Sequence, residues 1–467
     1  MLGACFVSGI FLMAFDPTLA AVRFGSGLSP RHDLPQDVGA VLADVQRPFG
    51  FDIPGFDEAR PTIRDFQIAG SARRKAEGTD DEARAKQAYR DVRTAANIAH
   101  NDALQATMAR HIAGPLGFKA RLASFWADHF TVKLRNSTQT HLVTPFVEDA
   151  IVPHLDGNFR DMLRAVVIHP MMLLYLQQAQ SAGPNSVVGQ RRRRGINENL
   201  ARELLELHTL GAGGPYAQSD VRQLAELLTG LTYTTKQGFF FHKRMAEPGA
   251  ETVLGVTYDR VDSLANILTA IDDIADHPQT ARHIAFKLAQ DFIADDPPAA
   301  MVDAMAAVFQ RSGGDLLAVY SAMLDHPTAW DMPLRKIKTP FRFITSGLRA
   351  LGMTSSEVVA LTDPMIRNTI VRPLRVMGQP WERPAGPDGW PEISETWISP
   401  QGMAGRITWA MQAPRRLLQG GVPDPRDFVQ TALGALATQD VIFAASAAEI
   451  REEGVGLVLS APAFQRS

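Results

Sequence analysis

The sequence predicts a mostly α fold: one large helical domain with a small β-hairpin patch and a Trp/Pro-rich loop. Three observations carry that expectation. Apolar residues recur at helical spacing over most of the 467 residues. β-branched and aromatic residues crowd together only between Thr232 and Leu254. Met377 to Pro400 is too rich in proline, glycine and tryptophan to form a long regular element.

Taken in order, the chain opens with an apolar run, Leu2 to Phe15, too short to span a bilayer and without the positively charged start of a secretory signal. Pro17, Pro30, Pro35, Pro48 and Pro54 break the next stretch into short helices and turns. The charged, Ala-rich segment Arg60 to Asn97 reads as two exposed helices joined at Gly78–Asp81, and a further helical pattern from Asp102 to Arg135 is broken at Gly114-Pro115. Pro145 to Gln180 gives two helices parted near Gly157-Asn158, with an apolar helix from Met171 to Gln178. After a helix at 220–229, opened by a capping box of Asp220 and Gln223, the strands Thr232–Thr235, Phe239–Phe241 and Glu251–Leu254 predict a small hairpin or a three-stranded patch. Val261 to Thr369 and the chain from Met403 onward return to amphipathic helices.

With 45% hydrophobic and 21% charged residues, the chain has ample apolar content for a large core. The net charge of −3 lacks the basic stripe of a nucleic-acid binder, so no nucleic-acid partner is expected, nor any transmembrane segment. The exception is Arg191 to Arg194, which reads first as a solvated loop and second as an anion-binding arm before a helix N-terminus. A single cysteine, Cys5, excludes an intramolecular disulfide and a cysteine zinc site. No Gly-x-Ser-x-Gly elbow, P-loop or His-Glu-x-x-His string is present, so no metal ligands are assigned.

The richest stretch is Asn197 to Gly211. On a helix, Glu198, Asn199, Arg202, Glu203 and Glu206 share a polar arc, and His208 lies in the middle of the leucine-rich arc opposite. Asn197 is placed to cap the start and Gly211 the end. His129 repeats the pattern on a face with Leu122, Phe125, Trp126 and Phe130. A buried imidazole needs partners, and Glu203 or Glu198 can supply a carboxylate, which would make a general acid/base unit. His283 reads as a packing or surface residue. Arg202 lies one turn from both Glu198 and Glu206. The arc is expected to line a closed site, so that Arg202→Ala costs about 3–5 kcal/mol, against less than about 1 kcal/mol for a solvated arc.

The Asn197–Gly211 string, with Tyr216-Ala-Gln-Ser-Asp-Val221 and Leu228-Thr-Gly230 after it, resembles the signature of a large bacterial family, domain of unknown function 1800. The resemblance runs from Phe15 to at least Arg406. Met13-Ala-Phe-Asp-Pro looks like the family's usual start, which implies a domain over 13–467 and makes residues 1–12 a non-native or disordered extension. A start at Met13 implies the cytoplasm; a weak signal or co-export with a partner implies the periplasm. The Phe-Trp-x-x-His-Phe string around His129 and the Trp381 and Gly389-Trp390-Pro391 motifs also match the family. His242 falls where relatives carry a histidine followed by an acidic residue, but Lys243 follows it here.

Three functions follow. The first is an acid/base, hydrolase-type enzyme using His129, His208, Glu203 and Glu198, with Arg202, Asn199 and His242 as binding residues. The second, implied by the resemblance, is an accessory or maturation partner of a sulfatase-like companion protein commonly encoded beside family members. The third is a glycan-binding protein using Trp381, Trp390 and Trp397. Convergence of His129 and His208 on one cavity, with Glu198 or Glu203 in reach, favours the first. A broad apolar surface without a pocket favours the second, and coplanar exposed indoles favour the third.

Overall fold

Many of the chain's prolines start helices. Pro278–Phe292, Pro340–Ala350, Pro400–Leu417 and Pro425–Leu433 all begin on proline, where the missing N–H would have had no helical partner. Side-chain caps mark other starts: Thr62 and Asp65 form a capping box for Ile63–Lys75, and Thr354 and Glu357 for Ser355–Val359. The computed structural model describes residues 15–133, 137–259 and 263–467. The apolar run before Phe15, the Met13 start and the proposed 1–12 extension lie outside the described residues.

The described residues are mostly α-helical, and their only strands are two separate two-stranded antiparallel hairpins. Leu231–Thr234 pairs with Gly238–Phe241, and Glu251–Val253 pairs with Val256–Tyr258. A three-stranded patch is therefore not formed; Val256–Tyr258 supplies the second hairpin its own partner. The break expected between Asn97 and Asp102 is also absent. Glu82–Ala113 is one helix of 32 residues, since nothing before Gly114-Pro115 interrupts its backbone ladder. Asp220 caps its helix from inside: its carboxylate accepts the Ala217 N–H at 2.8 Å, so the helix begins at Gln218.

The signature stretch departs most from expectation. Only Asn199–Glu203 is α-helical, and Leu204–Thr209 widens into a π-helix. The Leu210 N–H reaches back five residues to the Leu205 carbonyl at 3.0 Å, and the Thr209 hydroxyl donates to the Leu204 carbonyl at 2.5 Å. Such widened turns cluster at functional sites. Asn197 does act at the start, its side chain accepting the Asn199 N–H at 3.0 Å.

Buried apolar residues fall into two clusters. One runs from Leu19 to Leu334 and includes Phe125, Trp126 and Phe130; the other joins Leu104, Met108 and Ile112 of the long helix to residues 341–464. The long helix thus carries part of the second cluster, and Arg349 ties that cluster to the first. Its buried guanidinium donates to the carbonyls of Gly27, His111, Ile112, Gly114 and Pro115, closing the C-terminal end of the long helix. The last residues dock beside Lys336–Lys338: Ile337 bridges Arg466, the Lys338 N–H donates to Gln465 at 2.9 Å, and Ser467 donates to Lys336 at 3.0 Å.

Candidate active site

The helix Phe118–His129 positions the site. Gly117 precedes it at φ +81°, packed so closely that a Cβ there would meet the Ser26 hydroxyl at 2.5 Å. Asp44 caps it by accepting the N–H groups of Phe118 at 2.8 Å and Lys119 at 3.2 Å. At its far end, Trp126 is pinned by donating to the Tyr320 hydroxyl at 2.8 Å. The helix then delivers Asp128 and His129 to a cavity of about 190 Å³.

That cavity is walled by residues of both apolar clusters, Phe125 and Phe146 from the first and Phe341 and Leu374 from the second. The Trp/Pro-rich loop covers it with Trp381, Glu382, Trp390, Glu392 and Trp397. Gly389 makes the closest approach. At φ +76°, it leaves space for no Cβ, which would meet the backbone and side-chain oxygens of Asp128 at 2.7 Å. This lets the Trp390 N–H donate to Asp128 Oδ1 at 2.9 Å. Gly389→Ala is expected to lift the loop off Asp128 and lower stability by about 1–3 kcal/mol, read as a shift in the denaturant midpoint together with red-shifted tryptophan emission.

Asp128 is enclosed by protein yet reachable from the cavity. Burial pushes its pKa to about 8, with the charges of Glu392 and Asp291 acting in the same direction and the Trp390 N–H and Lys287 opposing. His129 is held well below the ordinary imidazole range, chiefly by burial. Its Nε2–H donates to the His208 carbonyl at 3.1 Å, which leaves Nδ1 as the nitrogen carrying a lone pair. At neutral pH the two consecutive residues are therefore an uncharged acid and an uncharged base.

Around them, the charged wall groups are paired. Arg110 grips Glu148 through two bonds, of 2.6 and 2.9 Å. Burial opposes ionisation of Asp291, yet Arg342 and Arg121 hold its carboxyl below the ordinary value. Lys287 pairs with Glu392, and Lys336 donates to Asp295 at 2.5 Å and to the Glu392 carbonyl at 2.6 Å. Glu382 takes φ +52°, a costly conformation for a residue with a side chain, and accepts from Thr144 at 2.5 Å beside the His100 ring at 3.2 Å.

A serine and a histidine also meet on this wall. Ser124 Oγ lies 3.1 Å from His111 Nε2, and Ser26 Oγ lies 2.9 Å from His111 Nδ1. The Ser124 hydroxyl also reaches the Ala120 carbonyl at 3.0 Å, an acceptor that competes with the ring for its single proton. Burial, reinforced by four arginines, drives the His111 pKa to about 3, which opposes any imidazolium.

The structure brings His129 and His208 together but not as a His–Glu pair. Their ring centroids are 6.2 Å apart, and the His283 ring also lies 6.2 Å from His129. The contact runs through backbone: His129 donates to the His208 carbonyl, and His283, through Nε2, to the Leu207 carbonyl at 3.2 Å. These two rings close the end of the π-helix, and Gly211, at φ +85°, makes room for His283, since a Cβ there would meet its Nδ1 at 2.7 Å. The sequence reading of His283 missed this role. Of the three histidines only His129 lines the cavity. His208 is 2% exposed, its Nδ1 has no partner, and burial lowers its pKa to about 3.

Neither Glu198 nor Glu203 bonds to either imidazole. Glu203 is half-buried, its pKa raised by burial and by Glu206. Glu198 pairs with Arg202 at 3.2 Å, and Arg202 also reaches Gln218 at 3.0 Å. Their side chains are 33% and 41% exposed, so the polar arc is solvated and does not line a closed site. Arg202→Ala is accordingly expected to cost less than about 1 kcal/mol, a near-unchanged denaturant midpoint, in place of the larger loss anticipated from the motif. Asn199 is exposed. His242 follows the first hairpin beside Phe240, with its Nδ1 unpartnered, and is not part of the cavity wall.

The indoles do not form a flat platform. Trp397 is 4% exposed, with its N–H bonded to the Pro391 carbonyl at 3.0 Å, and it meets Trp390 at 58°. Trp381 stacks on Phe341 at 5.2 Å. Among the described residues, no group of three or more His, Cys, Asp or Glu side chains is placed to hold a metal ion, and no helix is long and apolar enough to cross a membrane.

No curated protein and no solved structure matches the chain. One family model does, over residues 34–466, a span that takes in the cavity, the signature helix and the covering loop. The chain therefore belongs to the family described as protein of unknown function (DUF1800).

Proposed function

We propose that the chain is an acid/base enzyme of hydrolytic type whose chemistry takes place in the cavity, with Asp128 as proton donor and His129 as proton acceptor. One observation carries this reading. Two consecutive residues line the same cavity in uncharged forms of opposite sense, a carboxylic acid with a proton to give and an imidazole Nδ1 with a lone pair to take one. Hydrolysis needs both: the leaving group takes the Asp128 proton as its bond breaks, and His129 takes a proton from the attacking water. Proton transfer from His129 back to Asp128 through solvent restores the starting state.

A panel of hydrolase substrates tests the reading. Turnover is expected to fall above about pH 8 as Asp128 ionises, and Asp128→Asn is expected to lower it about 10²- to 10⁴-fold. An Asp128→Asn protein with parental turnover would sink the proposal.

A second reading, an accessory partner of a sulfatase-like companion, is favoured by exposed apolar side chains near the C-terminal end. Phe443 is 74% exposed and Ile450 52%. Co-purification of the two proteins, abolished by Phe443→Asp, is the result that would support it; unchanged co-purification by that variant counts against this surface.

A further inference from the structure

Three carboxylates on the cavity wall have a cationic partner: Glu148 has Arg110, Asp291 has Arg342 and Glu392 has Lys287. Glu382 accepts from the Thr144 hydroxyl. Asp128 forms no ion pair among the described residues; its hydrogen bond comes from the Trp390 backbone. The charged groups acting on it are Lys287 and Asp291 from the helix Pro278–Phe292 and Glu392 from the covering loop. Lys287 and Asp291 are already committed to other partners. Asp128 is thus a carboxyl without a cationic partner, open to a positively charged ligand in the cavity.

The walls suit the same charge. Trp381, Trp390, Phe125, Phe146 and Phe341 line the space, and aromatic faces attract cations. A cavity of about 190 Å³ is somewhat larger than the roughly 150 Å³ that admits benzene, enough for a six-membered ring and a short arm. We propose that the cavity binds a ring-sized organic cation, an alkylammonium whose charge pairs with the Asp128 carboxylate and whose body packs on the aromatic walls.

The alternatives fit less well. An anion placed beside Asp128 meets Glu392 and Asp291, the same charges that disfavour ionisation of Asp128 itself. A neutral ring gains the aromatic contacts but forms no ion pair with Asp128. An ammonium group instead displaces the carboxyl proton, which passes to solvent, so binding releases a proton below about pH 8.

This inference rests on the same carboxyl as the proton-donor reading, and calorimetry separates the two. Benzylammonium, benzyl alcohol and benzoate serve as cationic, neutral and anionic probes of one size. Benzylammonium is expected to bind at least about tenfold tighter than benzyl alcohol, and benzoate weakest of the three. Its affinity is expected to rise about tenfold per pH unit from about pH 6 to 8, with close to one proton released in buffers of different ionisation enthalpy. Asp128→Asn should remove the preference for the cation while keeping the affinity for benzyl alcohol. Benzylammonium that fails to bind, or binds no better than benzyl alcohol, overturns the inference. The donor reading is judged separately, by whether the free protein at pH 7 shows the infrared carbonyl band of a protonated carboxyl that Asp128→Asn removes.

Discussion

Asp128→Asn is expected to be more stable than the parent by about 3–5 kcal/mol at pH 8, and nearly equal to it at pH 4. The asparagine oxygen can still accept the Trp390 N–H, so the loop contact survives the change. What differs is the proton. The Asp128 carboxyl has a folded pKa of about 8 against an ordinary value of 3.8. Between those values the folded chain holds a proton that the unfolded chain releases. The parent therefore loses stability as pH rises from about 4 to 8, and the loss levels off above that range. The neutral amide has no such dependence. Paired urea melts from pH 4 to pH 9 would test this, and parallel stability curves for the two proteins would mean that Asp128 is not held protonated. A site residue whose removal stabilises the fold is also a mark of selection for something other than stability.

Arg349→Met is expected to have the largest effect in the other direction, a loss of at least about 4 kcal/mol. Methionine fills much of the volume but donates to none of the five carbonyls that the guanidinium serves. Those of His111, Ile112 and Gly114 close the long helix, where a cation is also favoured by the helix dipole. Burial lowers the Arg349 pKa to about 10, so the group remains charged at neutral pH and the loss should be nearly constant from pH 6 to 8. A denaturant midpoint close to the parent's would show that water replaces the arginine at these carbonyls.

Helix content and the Trp/Pro-rich loop were legible in the sequence because amphipathic spacing, proline and glycine act locally. The π-helix was not. Periodicity put His208 at the centre of an apolar face, but the widened turn of Leu204–Thr209 depends on donors outside the stretch of sequence that forms it, with His129 and His283 closing it from two other helices. His129 was legible as a candidate because it lies on an apolar face beside a family motif. Asp128, its neighbour in the same string, carries no such signal, because a single aspartate near a helix end does not show whether it is buried. Its protonation depends on burial and on the charges of Glu392 and Asp291, with the Trp390 N–H, 262 residues away in sequence, acting against it. Conversely, the polar arc of Glu198, Arg202 and Glu206 drew attention through composition alone. Whether such an arc faces a cavity or water is decided by what packs over it, and here Gln218 touches Glu198 and Arg202 but leaves both side chains a third or more exposed.

The docking of residues 464–467 against Lys336–Lys338 has a practical consequence. Lys336 and Ile337 belong to the cavity wall, so the wall is braced from a point more than a hundred residues further along the chain. A purification tag placed after Ser467, or removal of the last few residues, would loosen that brace while leaving most helices intact. Lost binding in such a preparation would be a mechanical effect at a distance, and an affinity handle for assays of this cavity belongs elsewhere on the surface.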